Sequence, residues 1–177
     1  MSHLAPVAAP TLPRLTPQAV RFSIAAILLG LLLVFQPRTS QADSSNTLQI
    51  HKIQGNFSEI RERLTSAISN QGFTLSNTLH LHEMLQRTAK DLGMPDNTYL
   101  HAEAVEFCSA KLAHLMSQAD PGNIANCPFV ITLYVLPSQP NHVQVVYRLP
   151  LLSGPQASKV HKTIEGVFAE ILAELKF

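Results

Sequence analysis

Residues 106–128 read EFCSAKLAHLMSQADPGNIANCP, and this stretch decides how the chain folds. It contains both cysteines, Cys108 and Cys127, one at each end of a short pattern with helical spacing. A β-like run precedes Cys108 and another follows Cys127. The sequence therefore predicts that two strands and a helix meet where the two sulfurs meet.

The segments around this stretch predict the rest of the order. Ser109 is a residue type that caps helices, and residues 120–122, Asp-Pro-Gly, end the helix that it opens. Residues 129–136 are apolar on nearly both faces, which is typical of a central strand, and residues 143–149 alternate as its hairpin partner. Upstream we predict strands at 47–53, 73–81 and 99–107, with helices from Asn56 to Gly72 and over 81–92; a last helix spans 158–175.

The predicted order is β-α-β-α-β-α-β-β-α in a single domain. Strands and helices mixed in this way favour an α+β fold, in which helices cover one face of a largely antiparallel sheet. The last helix carries a wide apolar stripe that we expect to cover the sheet and that could extend into a dimer interface.

Residues 1–42 are predicted to be a leader, and residues 43–177 the folded body. The leader has three arginines, no acid, and an uncharged apolar run over residues 22–35 that ends before Ser40-Gln41-Ala42. This pattern is typical of a secretory signal, and the run is short of the about 20 residues that a membrane span needs. We expect cleavage near Ala42 and a periplasmic or secreted body. The alternatives are an uncleaved inner-membrane anchor, with the domain outside the cytoplasm, and a buried helix.

Charge argues against nucleic acid as a partner. The whole chain has a formal net charge of +1, but residues 43–177 hold 10 of the 13 basic residues and all 12 acidic ones, a net charge of −2. Phosphate binding requires a basic surface, which this body lacks.

The order of motifs resembles the domain of unknown function 302 (DUF 302) family over about residues 50–152. The resemblance implies a compact fold similar to one half of the TATA-box-binding protein, assembly as a homodimer, and no DNA binding. Ser109-Ala110 stands where many members have Asn-Pro. The residues that carry the resemblance are Gly55-Asn56-Phe57, Gly72-Phe73, Leu92-Gly93, Glu106-Phe107-Cys108, Asp120-Pro121, Asn126-Cys127-Pro128-Phe129, Tyr134 and Val145-Val146-Tyr147-Arg148-Leu149-Pro150.

Cys108 and Cys127 are the first candidate site. Two cysteines in an exported body predict a disulfide. The alternatives are two buried thiols and a redox or metal site, since Cys108 precedes a helix N-terminus, where the pKa of a thiol falls.

The histidines are the second candidate. His80, His82 and Met84 could bind copper, or the imidazoles alone zinc, and His114 could approach either sulfur. The alternative is scattered surface histidines, since no established metal-binding motif is present.

Arg148 beside Tyr147 could bind an anion, although a solvated strand residue is the simpler interpretation. No catalytic motif is present. We therefore predict a non-catalytic homodimeric module that binds a ligand, a metal or a partner, and that contacts a membrane only through its leader, if the leader is not cleaved. The alternative is a periplasmic thiol-redox protein that uses Cys108 and Cys127.

Overall fold

The computed structural model describes residues 48–175, which form the predicted succession of elements. A 3-10 helix at Pro121–Asn126, which the sequence did not predict, follows the third α-helix. The strands are β1 Leu48–Gln54, β2 Thr74–Leu79, β3 His101–Cys108, β4 Phe129–Val135 and β5 His142–Arg148, and the helices are α1 Phe57–Asn70, α2 Leu81–Leu92, α3 Ala110–Ala119 and α4 Ala157–Ala173.

The five strands form one open sheet in the order β1-β5-β4-β3-β2. Every neighbouring pair is antiparallel. β4 occupies the centre, as its apolar residues on both faces predicted. The α+β architecture expected from the sequence is confirmed.

The core lies on one face of the sheet, under α1, α3 and α4. Alternate residues of β4, from Phe129 to Val135, point into it. Phe168 of α4 lies at its centre: the ring centroids of Phe107, Phe129 and Tyr147 are 5.9, 5.7 and 4.5 Å from the ring of Phe168. Most of the apolar stripe of α4 is buried in this core, as expected of a helix that covers the sheet.

Local signals set the helix ends where the sequence predicted them. The Asn56 side chain accepts hydrogen bonds from the backbone N–H groups of Ser58 and Glu59, at 2.8 and 3.4 Å. Ser109 accepts one from the Leu112 N–H at 3.3 Å. Gly93 ends α2 with a φ of 63°, a left-handed conformation that glycine adopts at little cost.

The opposite face of the sheet carries Val130, Thr132 and Tyr134 of β4, with Val146 of β5 beside Thr132. We call it the open face, because α1, α3 and α4 pack on the other one. Tyr99, just before β3, reaches this face, and its ring lies 5.3 Å from the ring of Tyr134.

The predicted leader, residues 1–42, lies outside the residues that the structure describes. Within residues 48–175, no helix has the length and apolar character that crossing a membrane requires.

Candidate functional site

The two cysteines form a disulfide, as the sequence predicted. Cys108 ends β3, and Cys127 follows the 3-10 helix; their Cα atoms are 6.3 Å apart and they are 19 positions apart in the chain. Both residues are half-buried. The bridge therefore ties the end of β3 to the start of β4 across α3 and the 3-10 helix.

A cleft of about 640 Å³ lies on the open face, beside the disulfide-linked segment. It is within the range of small-molecule sites, which are concave and mostly apolar with a few polar groups. Most of its wall comes from β1, β4 and β5. The lining residues are Leu48, Tyr99, Asn126, Pro128, Phe129, Val130, Thr132, Tyr134, Val146, Tyr147, Arg148, Leu149, Pro150 and Leu151.

Arg148 is the only charged residue among those described that line the cleft. It lies opposite Leu48 in the pairing of β1 with β5. Its side chain is exposed, and no carboxylate of residues 48–175 lies within 4.0 Å of it. A guanidinium without a counter-charge at an apolar wall can bind a carboxylate, sulfonate or phosphate group.

Tyr147 borders the cleft, but its ring belongs to the core. The ring stacks on Phe168 and lies parallel to the ring of His51, with 5.7 Å between the His51 and Tyr147 centroids. The Tyr147 hydroxyl is 3.4 Å from His51 Nε2. Burial, and secondarily the negative charge of Glu165, raise the pKa of Tyr147 above 10.0. The structure thus places Tyr147 as a packing residue behind Arg148.

The histidine candidates divide into two groups. His114 is exposed on α3 and lines none of the concavities described in this section or below. His80 precedes α2 and His82 lies in its first turn; both line a small cavity with His101 and Glu103, whereas Met84 does not line it. Within residues 48–175, no three His, Cys, Asp or Glu side chains are already arranged to hold a metal ion.

Sequence reasoning missed Tyr99, Tyr134 and Val130 as cleft residues. The alternation of Val130 and Tyr134 along β4 was visible, but an apolar outward face was interpreted only as a sign of a central strand. Glu103 was considered solely as half of an acid/base pair with Glu106. The two lie on opposite faces of β3, as strand alternation requires, and Glu103 shares its cavity with histidines instead.

The fold and cleft define a class: a small antiparallel α+β domain with one internal disulfide and a ligand-sized cleft on the open face of its sheet. The family model described as "Domain of unknown function DUF302" matches residues 49–176. The chain belongs to this family, and the match includes α4, which lies beyond the motifs recognised in the sequence.

A solved structure, described as the crystal structure of an uncharacterized conserved DUF302 protein from Bacillus stearothermophilus, is similar to this chain. The TM-score is 0.61 at 14% sequence identity, over 75% of this chain and 100% of that one. At this identity the likeness establishes the shared fold. A comparison with curated proteins found no match.

Proposed function

We propose that this protein is a non-catalytic binding module of the cell envelope, and that it binds a small amphipathic anion in the open-face cleft. The observation that carries the proposal is the combination of an apolar cleft of about 640 Å³ with the guanidinium of Arg148, which has no carboxylate within 4.0 Å among residues 48–175. The apolar wall favours a ligand with a hydrocarbon or aromatic body. Arg148 favours a ligand that ends in an anionic group.

The two contributions differ in size and in kind. Burial of an apolar ligand stabilises a complex by about 25 cal/mol for each Å² of apolar surface removed from water. The apolar wall therefore favours binding of many different apolar ligands. A charge-assisted hydrogen bond to Arg148 adds about 1.5 kcal/mol, which is about tenfold in affinity, and it discriminates anions from neutral molecules. Specificity for an anion therefore depends on Arg148 alone.

Two fluorescent probes separate these contributions. Anilinonaphthalene sulfonate carries an anion, and N-phenyl-1-naphthylamine is its uncharged analogue. We expect Arg148→Gln to weaken binding of the sulfonate about tenfold and to leave the neutral probe unchanged. Thr132→Trp, which fills the cleft from β4, should weaken binding of both probes.

A control variant, Arg87→Gln, removes an exposed cation of α2 that does not line the cleft. It should bind both probes as the unaltered chain does. Equal losses in Arg148→Gln and Arg87→Gln would mean that the sulfonate responds to overall charge, and the proposed site would be wrong. No binding of either probe by the unaltered chain would also refute it.

We propose that the domain acts outside the cytoplasm, after cleavage of the leader near Ala42. The disulfide supports this location, because such bonds persist in oxidising compartments and are rare in the cytosol. Mass spectrometry of the protein from a periplasmic fraction tests it. We expect the mass of a chain that begins at residue 43 and that has two hydrogen atoms fewer than the reduced form. An intact leader with two free thiols in a cytosolic fraction would contradict the proposal.

We also propose that the protein is a homodimer, as the resemblance implied. α2 and the segment after it offer exposed apolar side chains for this contact, with Leu92 and Met94 67% and 64% exposed. Light scattering coupled to size exclusion should give twice the chain mass, and Leu92→Glu should shift it toward the monomer. A monomer at micromolar concentration for the unaltered chain would refute the dimer.

The second candidate is a thiol-redox protein. It is favoured by the position of Cys108, half-buried immediately before the cap of α3, where a helix N-terminus lowers the pKa of a thiol. A reduction potential below about −300 mV favours a structural bond, and a higher value favours redox work. The potential therefore decides between the two functions.

A further inference from the structure

A cluster of titratable side chains lies at the junction of β2 and α2, away from the residues that line the open-face cleft. His80, His82, His101 and Glu103 line a cavity of about 70 Å³, together with Phe57 and Glu83. This is room for one or two water-sized particles, since a water molecule occupies about 30 Å³ of the liquid. The cavity is too small for an organic ligand and large enough for a metal ion.

An irregularity in the sheet creates the cluster. β2 pairs with β3 with a register shift between Leu75 and Asn77, after which Leu79 lies opposite Ala104. His80, the residue after Leu79, therefore lies opposite Glu103, and its Nδ1 atom is 3.4 Å from Glu103 Oε1. Without the shift, His80 would face Ala102 on the other side of the sheet. The extra residue in β2 thus directs an imidazole toward a carboxylate.

The carboxylate of Glu103 is mostly buried and incompletely satisfied. Its side chain is 17% exposed, and its Oε2 atom is inaccessible to solvent and has no hydrogen-bond partner among residues 48–175. Arg61 Nε, the nearest cation, is 3.9 Å from that atom, which is too far for a hydrogen bond. A buried carboxylate oxygen without a hydrogen-bond partner is destabilising, so a cation bound there would be stabilised.

Two of the three imidazoles are exposed to solvent. His80 and His101 are exposed, and His82 is half-buried. The His82 and His101 ring centroids are 6.4 Å apart, and the ring of His101 rests on that of Phe57 at 4.8 Å. Rotation about the side-chain bonds of His82 and His101 would bring their nitrogens toward the carboxylate, whereas Glu103 supplies a fixed oxygen.

We infer that His80, His82, His101 and Glu103 form a binding site for one divalent transition-metal ion, Zn²⁺ or Cu²⁺. Three imidazoles and one carboxylate are a donor set that both ions accept. Within residues 48–175 no three such side chains are arranged around a common point, so the inferred site requires His82 and His101 to rotate toward Glu103. This set differs from the one that the sequence indicated, because His101 and Glu103 replace Met84.

Calorimetric titration with ZnCl₂ and with CuCl₂ tests the inference on the untagged chain, purified from the periplasm and stripped of metal. We expect one ion per chain. His82→Asn with His101→Asn should weaken binding by about 10–100-fold or more, and Glu103→Gln should weaken it in the same direction. The Cu²⁺ electron paramagnetic resonance spectrum should show several nitrogen ligands in the unaltered chain and fewer in the double variant, which keeps only His80 of the three histidines.

The chain offers a matched control in His161, whose Nε2 lies 3.4 Å from a carboxylate oxygen of Glu165 on α4. His161→Asn removes a comparable histidine–carboxylate pair and should leave the metal titration unchanged. The inference is overturned if the unaltered chain binds no ion, if the double variant binds as tightly as the unaltered chain, or if His161→Asn causes the same loss. Circular dichroism of each variant shows that the fold is retained.

Discussion

The contribution of the disulfide to stability can be worked out from its position in the chain. Replacing both Cys108 and Cys127 by serine removes a crosslink between residues 19 positions apart. In the chain-entropy treatment, such a crosslink lowers the entropy of the unfolded chain by about 11 cal/mol/K, which stabilises the folded state by about 3 kcal/mol at 25 °C. We therefore expect the double variant to unfold with a free energy about 3 kcal/mol smaller.

Urea unfolding followed by circular dichroism measures this difference. The slope of the unfolding free energy against urea should also increase in the variant, because an unfolded chain without the crosslink exposes more surface. Unaltered protein kept reduced with dithiothreitol should match the double variant. The corresponding double alanine variant shows how much the serine hydroxyls contribute at these half-buried positions.

Two results would refute this reasoning. One is an unfolding free energy of the double variant within about 0.5 kcal/mol of that of the oxidised chain. The other is a loss in the double variant that reduced, unaltered protein does not share; the effect would then come from the serines and not from the crosslink.

Further substitutions test the packing around the site. Gly154 has a φ of 97°, and a Cβ atom there would overlap the backbone carbonyl of Ala119; Gly154→Ala should destabilise by about 2–5 kcal/mol in urea unfolding, from the left-handed conformation and the forced displacement together. Gly166 of α4 has free space around it, so Gly166→Ala should instead stabilise by about 0.5–1 kcal/mol; a loss there would contradict the space seen in the structure. Because the pKa of Tyr147 is raised in the folded state, its contribution is complete below pH 10.0 and is lost as the pH rises through the raised value. Tyr147→Phe should therefore lose less stability above pH 10.0 than the unaltered chain, whereas Tyr99→Phe should not differ from it; equal alkaline losses in all three proteins would show that Tyr147 is not the group responsible.

Much of the fold was predictable because its signals are local. The caps at Asn56 and Ser109 and the ending of α2 at Gly93 depend on residues within one helical turn. β4 was predicted as central from its own residues. The sequence also predicted that Cys108 and Cys127 pair, because they are the two cysteines of the chain and the leader was interpreted as an export signal.

The sites depend on distant pairings that a sequence does not display. His80 reaches Glu103 only because β2 contains one extra residue near Asn77, and nothing in that segment marks the irregularity. Gln144 is polar and yet only 8% exposed, and it lies between Lys52 of β1 and Tyr134 of β4 in the strand pairing. Arg148 was identified as an anion-binding candidate without any knowledge of the apolar wall beside it.

The central claim is that the open face of the sheet, at Arg148, is the binding site. Titration with decanoate, followed through backbone amide chemical shifts, tests this most directly. We expect the largest chemical-shift changes at Val130, Val146 and Arg148, and little change at Ile164, a buried residue of α4. Decanoate should bind about tenfold more weakly to Arg148→Gln. Shifts confined to α2, or none at millimolar decanoate, would contradict the claim.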